Sequence, residues 1–140
     1  MRLRELVGPE IGANCYLSHL FWQQCDAVEV FWQVGKQHAM YHAHMKDTAF
    51  FPNNVARHGV LNFAKSKNDS EGLEFFCAVG YGHGASLWMD VIAAGVEVGY
   101  DGMLSIENED PILSGEVGVQ RSLTMLKNVR EELMANEPNP

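Results

Sequence analysis

The chain predicts an α/β fold, and three observations carry that prediction. Strand-like and helix-like stretches alternate along its 140 residues, the pattern of βα units around a parallel sheet. Polar residues follow the strand-like stretches at their carboxyl ends, where βα barrels keep their chemistry. The chain also opens inside what reads as a helix, and 140 residues are too few for an eight-stranded barrel, which takes about 250. The expected architecture is therefore a partial (β/α)8 TIM barrel, about its last three βα units with parallel strands. Residues 1–140 are read as one incomplete domain whose amino-terminal strands are absent.

Each element has a local reason. Residues 1 to 7 read as the tail of a helix broken by Gly8-Pro9, since neither residue continues a helix well. Ile11 to Tyr16 is a short apolar strand, and Asp26 to Val34 is apolar at helical spacing. Met40 to Met45 is the second strand, and Thr48 to about Gly72 reads as one long irregular stretch rich in Asn, Ser, Lys and Gly. Leu73 to Val79 is a short extended piece, followed by a glycine turn at Gly80-Tyr81-Gly82-His83-Gly84. Ser86 to Val98 is a helix ended by Gly99, Gly102 to Glu107 the third core strand, and Val117 to Leu133 a last amphipathic helix before a frayed Asn-Glu-Pro-Asn-Pro tail.

Composition narrows the function classes. A hydrophobic fraction of 46% with 20% charged residues describes a globular chain. The formal charge of -8 argues against broad binding to nucleic acid or an anionic membrane. No apolar run approaches the roughly 20 residues of a membrane span, and the first residues lack a signal-peptide core. Three cysteines, Cys15, Cys25 and Cys77, show neither CxxC spacing nor a disulfide framework, so a reducing, cytoplasmic setting is expected.

The stretch Tyr41-His42-Ala43-His44-Met45-Lys46-Asp47 is the densest in chemistry. Along an extended strand alternate side chains share a face, so His42, His44 and Lys46 point one way and Tyr41, Ala43, Met45 and Asp47 the other. Imidazole on an interior face is a good ligand for a divalent metal such as zinc, manganese or cobalt.

Four blocks in order and at matching spacing resemble the sugar phosphate isomerase/epimerase family of xylose isomerase-like barrels. They are the stretch from Asn14 to Gln23 (Asn-Cys-Tyr-Leu-Ser-His-Leu-Phe-Trp-Gln), Tyr41 to Thr48, Gly80 to Gly84, and Gly99 to Asp110. The resemblance runs from about residue 3 to residue 130. It implies a divalent metal (Mn, Mg, Co or Zn) and proton transfer α to the carbonyl of a sugar or sugar phosphate. His44 matches the family's metal-binding histidine, and Glu107 its strand-end glutamate, which in the epimerases also moves a proton. His19 matches a histidine that helps hold substrate or metal. Tyr16 stands where the family has a ligand aspartate, and Leu17 where it has a proline. A further glutamate ligand would belong to an earlier strand, before Met1. About half of a four-ligand set is thus expected here, and full activity from this polypeptide alone is not.

The remaining candidates carry two readings each. His42 is read as a ligand or a supporting group, Lys46 and Asp47 as substrate contacts or an ion pair closing the rim, and His83 as a contact to a sugar hydroxyl or phosphate or a solvated turn residue. Trp22, beside His19, is read as core packing or a stacking platform for substrate, and Glu109-Asp110 as a loop and helix start. Two functions follow: a metal-dependent isomerase or epimerase completed by self-association or a complementing chain, or a non-catalytic sugar-binding remnant of the same fold. A nuclease like the endonuclease IV branch ranks last because the chain is acidic. Partners are expected to be a small sugar or sugar phosphate, with no nucleic acid and no membrane.

Overall fold

The computed structural model describes residues 2–61 and 72–135. In chain order the elements are α1 (Arg2–Val7), β1 (Ala13–Tyr16), α2 (Leu17–Trp22), α3 (Ala27–Lys36), β2 (Met40–Met45), β3 (Asp47–Phe50), α4 (Pro52–His58), β4 (Glu74–Cys77), α5 (Ala85–Glu97), β5 (Leu104–Ile106) and α6 (Gly115–Ala135). The three expected core strands form a parallel sheet in the order β1-β2-β5. Asn14 lies opposite His42 and Tyr16 opposite His44 on one side of β2, and His44 lies opposite Ser105 on the other. Because side chains alternate along a strand, Asn14, Tyr16, His42, His44 and Ser105 share one face. Cys15, Ala43 and Met45 share the other, and that face is buried.

Helices pack on the buried face. In α3 the residues Ala27, Phe31 and Gly35 are buried, one turn apart, and the helix starts because the Asp26 carboxylate accepts the Glu29 N–H at 3.0 Å. Helix α5 buries Trp88, Val91, Ala94 and Gly95. Gly95 lets Phe31 approach closely, since a Cβ there would lie 3.1 Å from the Phe31 ring. The stripe Gly118, Ser122, Leu126 and Val129 seats α6. Leu17, Phe21, Phe31, Met45, Trp88 and Val91 form one core with these helices, and its burial is the main stabilising term.

The long irregular stretch expected from Thr48 contains two elements instead. Strand β3 carries the chain straight on from β2, and Pro52 at the first turn opens α4. The later part of that stretch, residues 62–71, and the tail 136–140 lie outside the described residues. The extended piece expected at Leu73 to Val79 is present as β4. Strand β4 pairs antiparallel with β3, from Asp47 opposite Cys77 to Phe50 opposite Glu74, so it does not enter the parallel sheet and β5 pairs directly with β2. The backbone N–H groups that follow β4 are satisfied by side chains: Ala78 donates to Asp110 at 3.1 Å, Val79 to Ser122 at 3.0 Å and Gly80 to Asp47 at 3.0 Å. Buried backbone donors require such partners. Among the described residues no helix is long and apolar enough to cross a membrane.

Candidate functional site

The carboxyl ends of β1, β2 and β5 bring together Tyr16, His44, Lys46, Glu107 and Glu109. Parallel pairing does this, because strands running the same way finish at the same edge, and the Glu107 N–H still reaches the Met45 carbonyl at 3.3 Å. His44 Nδ1 lies 2.9 and 3.0 Å from the two ends of the Asn14 amide, diagonally across the β1–β2 pair, since Asn14 itself lies opposite His42. Burial first, then His42 and Lys46, holds the His44 pKa below the usual imidazole value, so the ring is neutral at neutral pH. The His42 ring sits edge-on 4.8 Å from it. The Tyr16 ring lies 4.5 Å from His19 and 4.8 Å from His44, and Trp22 donates from Nε1 to His19 Nδ1 at 3.2 Å.

Lys46 is the centre of the cluster. Only 1% of its side chain is exposed. Its ammonium donates to Glu109 Oε2 and lies 3.7 Å from Glu107 Oε1. It also faces the Phe76 ring at 4.0 Å and the Tyr16 ring at 4.8 Å. Charge on two carboxylates and the negative faces of two rings offset the cost of withdrawing the ammonium from water. Glu107 has a raised carboxyl pKa, from burial and then from the like charge of Glu109.

Asp47, read as a substrate contact or half of a rim ion pair, and His83, read as a substrate contact or a solvated turn residue, are engaged with each other. Asp47 is fully buried, and its Oδ2 accepts the N–H groups of Gly80, Gly82 and His83 at 3.0, 3.0 and 2.9 Å. Its Oδ1 accepts Thr48 N–H at 2.8 Å and lies 2.7 Å from His83 Nδ1; an oxygen that already accepts leaves the ring nitrogen as the donor. The His83 ring stacks on Phe21 with centroids 4.1 Å apart. The pair is a clamp on the glycine turn, and Gly82 is needed there because a Cβ would fall 2.8 Å from Asp47 Oδ1 and closer still to the Thr48 carbonyl. His83 borders a cavity of about 900 Å³ between α3 and α5, lined also by Cys25, Trp32, Leu87 and Asp90, on the helix side of the molecule.

The residues expected to hold a metal, His44, Glu107 and Tyr16, each have other partners in this structure. A divalent ion takes three or more nitrogen, oxygen or sulfur donors, and among the described residues no group of three His, Cys, Asp or Glu side chains is placed to hold one. His44 meets Asn14 through Nδ1, which leaves Nε2 as its donor atom, while Glu107 faces an ammonium and Tyr16 turns a ring face toward Lys46. Among the described residues, the chain does not supply a complete ligand set for a divalent ion by itself.

Three members of the cluster carried no role in the sequence. Asn14 sits in the first block, Glu109 reads as a loop residue, and Phe76 belongs to a strand whose antiparallel pairing has no local signature. The period-2 alternation from Asn14 to Tyr16 was the signal that could have found Asn14.

Fold and cluster together define a class: an α/β protein with a three-stranded parallel sheet, helices on one face and a polar cluster at the strand carboxyl ends. No known family profile matches the chain. The chain is similar to the uncharacterized protein YfiH of Bacillus subtilis (strain 168), with 32% identity over 126 residues, 90% of this chain and 40% of that protein. It thus spans about two fifths of the length of the curated relative it matches.

Proposed function

We propose that this chain forms one wall of the active site of a sugar or sugar-phosphate isomerase or epimerase, within a xylose isomerase-like barrel completed by polypeptide outside it. The observation that supports this reading is Glu107. It follows β5 on the open face of the sheet, with a raised pKa and an ammonium 3.7 Å away. Isomerisation through an enediolate needs a base for the proton α to a carbonyl, and a carboxylate whose pKa is raised toward neutrality is a stronger one. In this reading Glu107 takes the proton, Lys46 holds that carboxylate in place, and His44 and His19 approach the sugar hydroxyls. The acid that returns the proton on the opposite side belongs to the completing polypeptide. The setting is cytoplasmic, the substrate a small sugar or its phosphate, and nucleic acid and membranes are not partners.

Solvent deuterium exchange tests it. In D2O, ketoses and ketose phosphates are incubated with the chain alone and with the chain joined to the part of YfiH outside the match, and loss of the α C–H signal is followed by NMR. Exchange by the joined protein that Glu107→Gln abolishes is the expected result. No exchange by either protein sinks the reading.

A second reading, a sugar-binding module without catalysis, has its own support: Tyr16 in place of the family's aspartate and a Glu107 already facing Lys46. Saturation-transfer NMR would then show sugar contacts with no deuterium uptake.

A further inference from the structure

We infer that Lys46 is the resident cation of this strand-end site, its ammonium standing toward Glu107 and Glu109 where a divalent metal would otherwise be required. Two carboxylates gathered at one edge repel one another and call for a positive charge. The chain supplies that charge internally. Lys46 donates to Glu109, stands 3.7 Å from Glu107 and is 1% exposed, so the ammonium is enclosed.

The walls of the enclosure select the kind of cation. Ring faces of Phe76 at 4.0 Å and Tyr16 at 4.8 Å attract an alkylammonium, whose own stem packs against them. They give no lone pair to a divalent ion, which needs several oxygen or nitrogen donors to replace its water. Tyr16 therefore has a positive role: where a carboxylate would add a ligand, its ring completes a cage for Lys46. The absence of a three-donor group among the described residues and the enclosed lysine are two sides of one arrangement. The assignment rests on geometry. Only its use toward substrate, meeting the negative charge of an enediolate, rests on the isomerase reading.

The test is Mn²⁺ binding to the whole chain, read by electron paramagnetic resonance and calorimetry. The wild type is expected to bind Mn²⁺ no more tightly than about 1 mM, the weak end of carboxylate sites. Lys46→Met, with both carboxylates freed, is expected to tighten binding by about tenfold or more. Lys46→Arg should stay like the wild type, and Glu107→Gln added to Lys46→Met should remove the gain. Micromolar Mn²⁺ binding by the wild type that His44→Ala removes would overturn the inference, as would Lys46→Met binding no tighter than the wild type.

If Lys46→Met does not fold, NMR of the wild-type lysine ammonium groups decides. A protected Lys46 Nζ signal left sharp by Mn²⁺ supports the assignment, and selective broadening of it overturns it. None of these readouts is an activity, so their failure leaves the isomerase reading standing, and failed deuterium exchange leaves the cation assignment standing.

Discussion

Replacing Asp47 by alanine should be among the most damaging single changes in this chain. The carboxylate is fully buried and accepts five hydrogen bonds, three on Oδ2 from the glycine turn and two on Oδ1 from Thr48 and His83. Hydrogen bonds to a charged group contribute about 1.5–3 kcal/mol each, but those sharing one acceptor do not add. Breaking a buried charged cluster by removing one partner costs about 3–5 kcal/mol, and the four backbone N–H groups left behind place Asp47→Ala in that range. Asp47→Asn keeps one oxygen for three donors and turns an NH2 toward the other two, so about 2–3 kcal/mol is expected. Against a typical total of roughly 5–15 kcal/mol, the alanine variant would be marginal. Urea unfolding followed by far-ultraviolet circular dichroism measures both values, and amide exchange at Gly80, Gly82 and His83 should speed up in parallel. A loss below about 1 kcal/mol for Asp47→Ala, with exchange at those amides unchanged, would refute the clamp.

Two further outcomes follow from the same packing. Cys15 and Cys77 are buried and Cys25 is exposed; burial pushes the Cys15 thiol up to about 11, and burial with Asp47 and Asp110 pushes Cys77 up to about 12. The thiolate is the reactive form, so a thiol reagent at neutral pH should modify Cys25 alone in the native chain and all three cysteines in denaturant, with mass spectrometry assigning the site. Burial alone would raise the Asp110 pKa, but N–H groups of Leu113, Ile112 and Ala78, helped by Arg121, bring it below the usual aspartate value. A depressed native pKa gives stability that is fully present above the unfolded value, near 3.9, and is lost as pH falls through the native one. The stability gap between the wild type and Asp110→Asn should therefore shrink on acidification, and a gap that is flat or grows would contradict the assignment.

The parallel sheet was legible because its strands carry strong local signals. Met40–Met45 matches the observed β2 at both ends, since an apolar and imidazole alternation admits no other period. The helices at Asp26, Ser86 and Val117 shifted by a few residues at most, as boundaries do when capping is read without contacts. Strand β3 and helix α4 were hidden by polar composition, and β3 exists because Phe75 and Phe76, far along the chain, pair across it. Pairing of that kind is tertiary, with no local trace.

Within the candidate site the same division holds. Alternation along β2 placed His44 and Lys46 on one face, and the spacing of the blocks marked Glu107 as a strand-end carboxylate. Which groups those side chains meet was a matter of three dimensions. The family resemblance made His44, Glu107 and Tyr16 a ligand set and left Lys46 a substrate contact or half of a rim ion pair. The register that sets Asn14 across from His42, close enough to reach His44, and the antiparallel β4 that brings Phe76 over the ammonium enclose Lys46 between two rings and two carboxylates. The sequence by itself determined which chemical groups sit at the strand ends, because side-chain direction follows from the two-residue period of a strand. Only the tertiary structure decided that a lysine, rather than an open set of donors, stands among them, because burial and pairing between distant segments fix which charge each carboxylate meets.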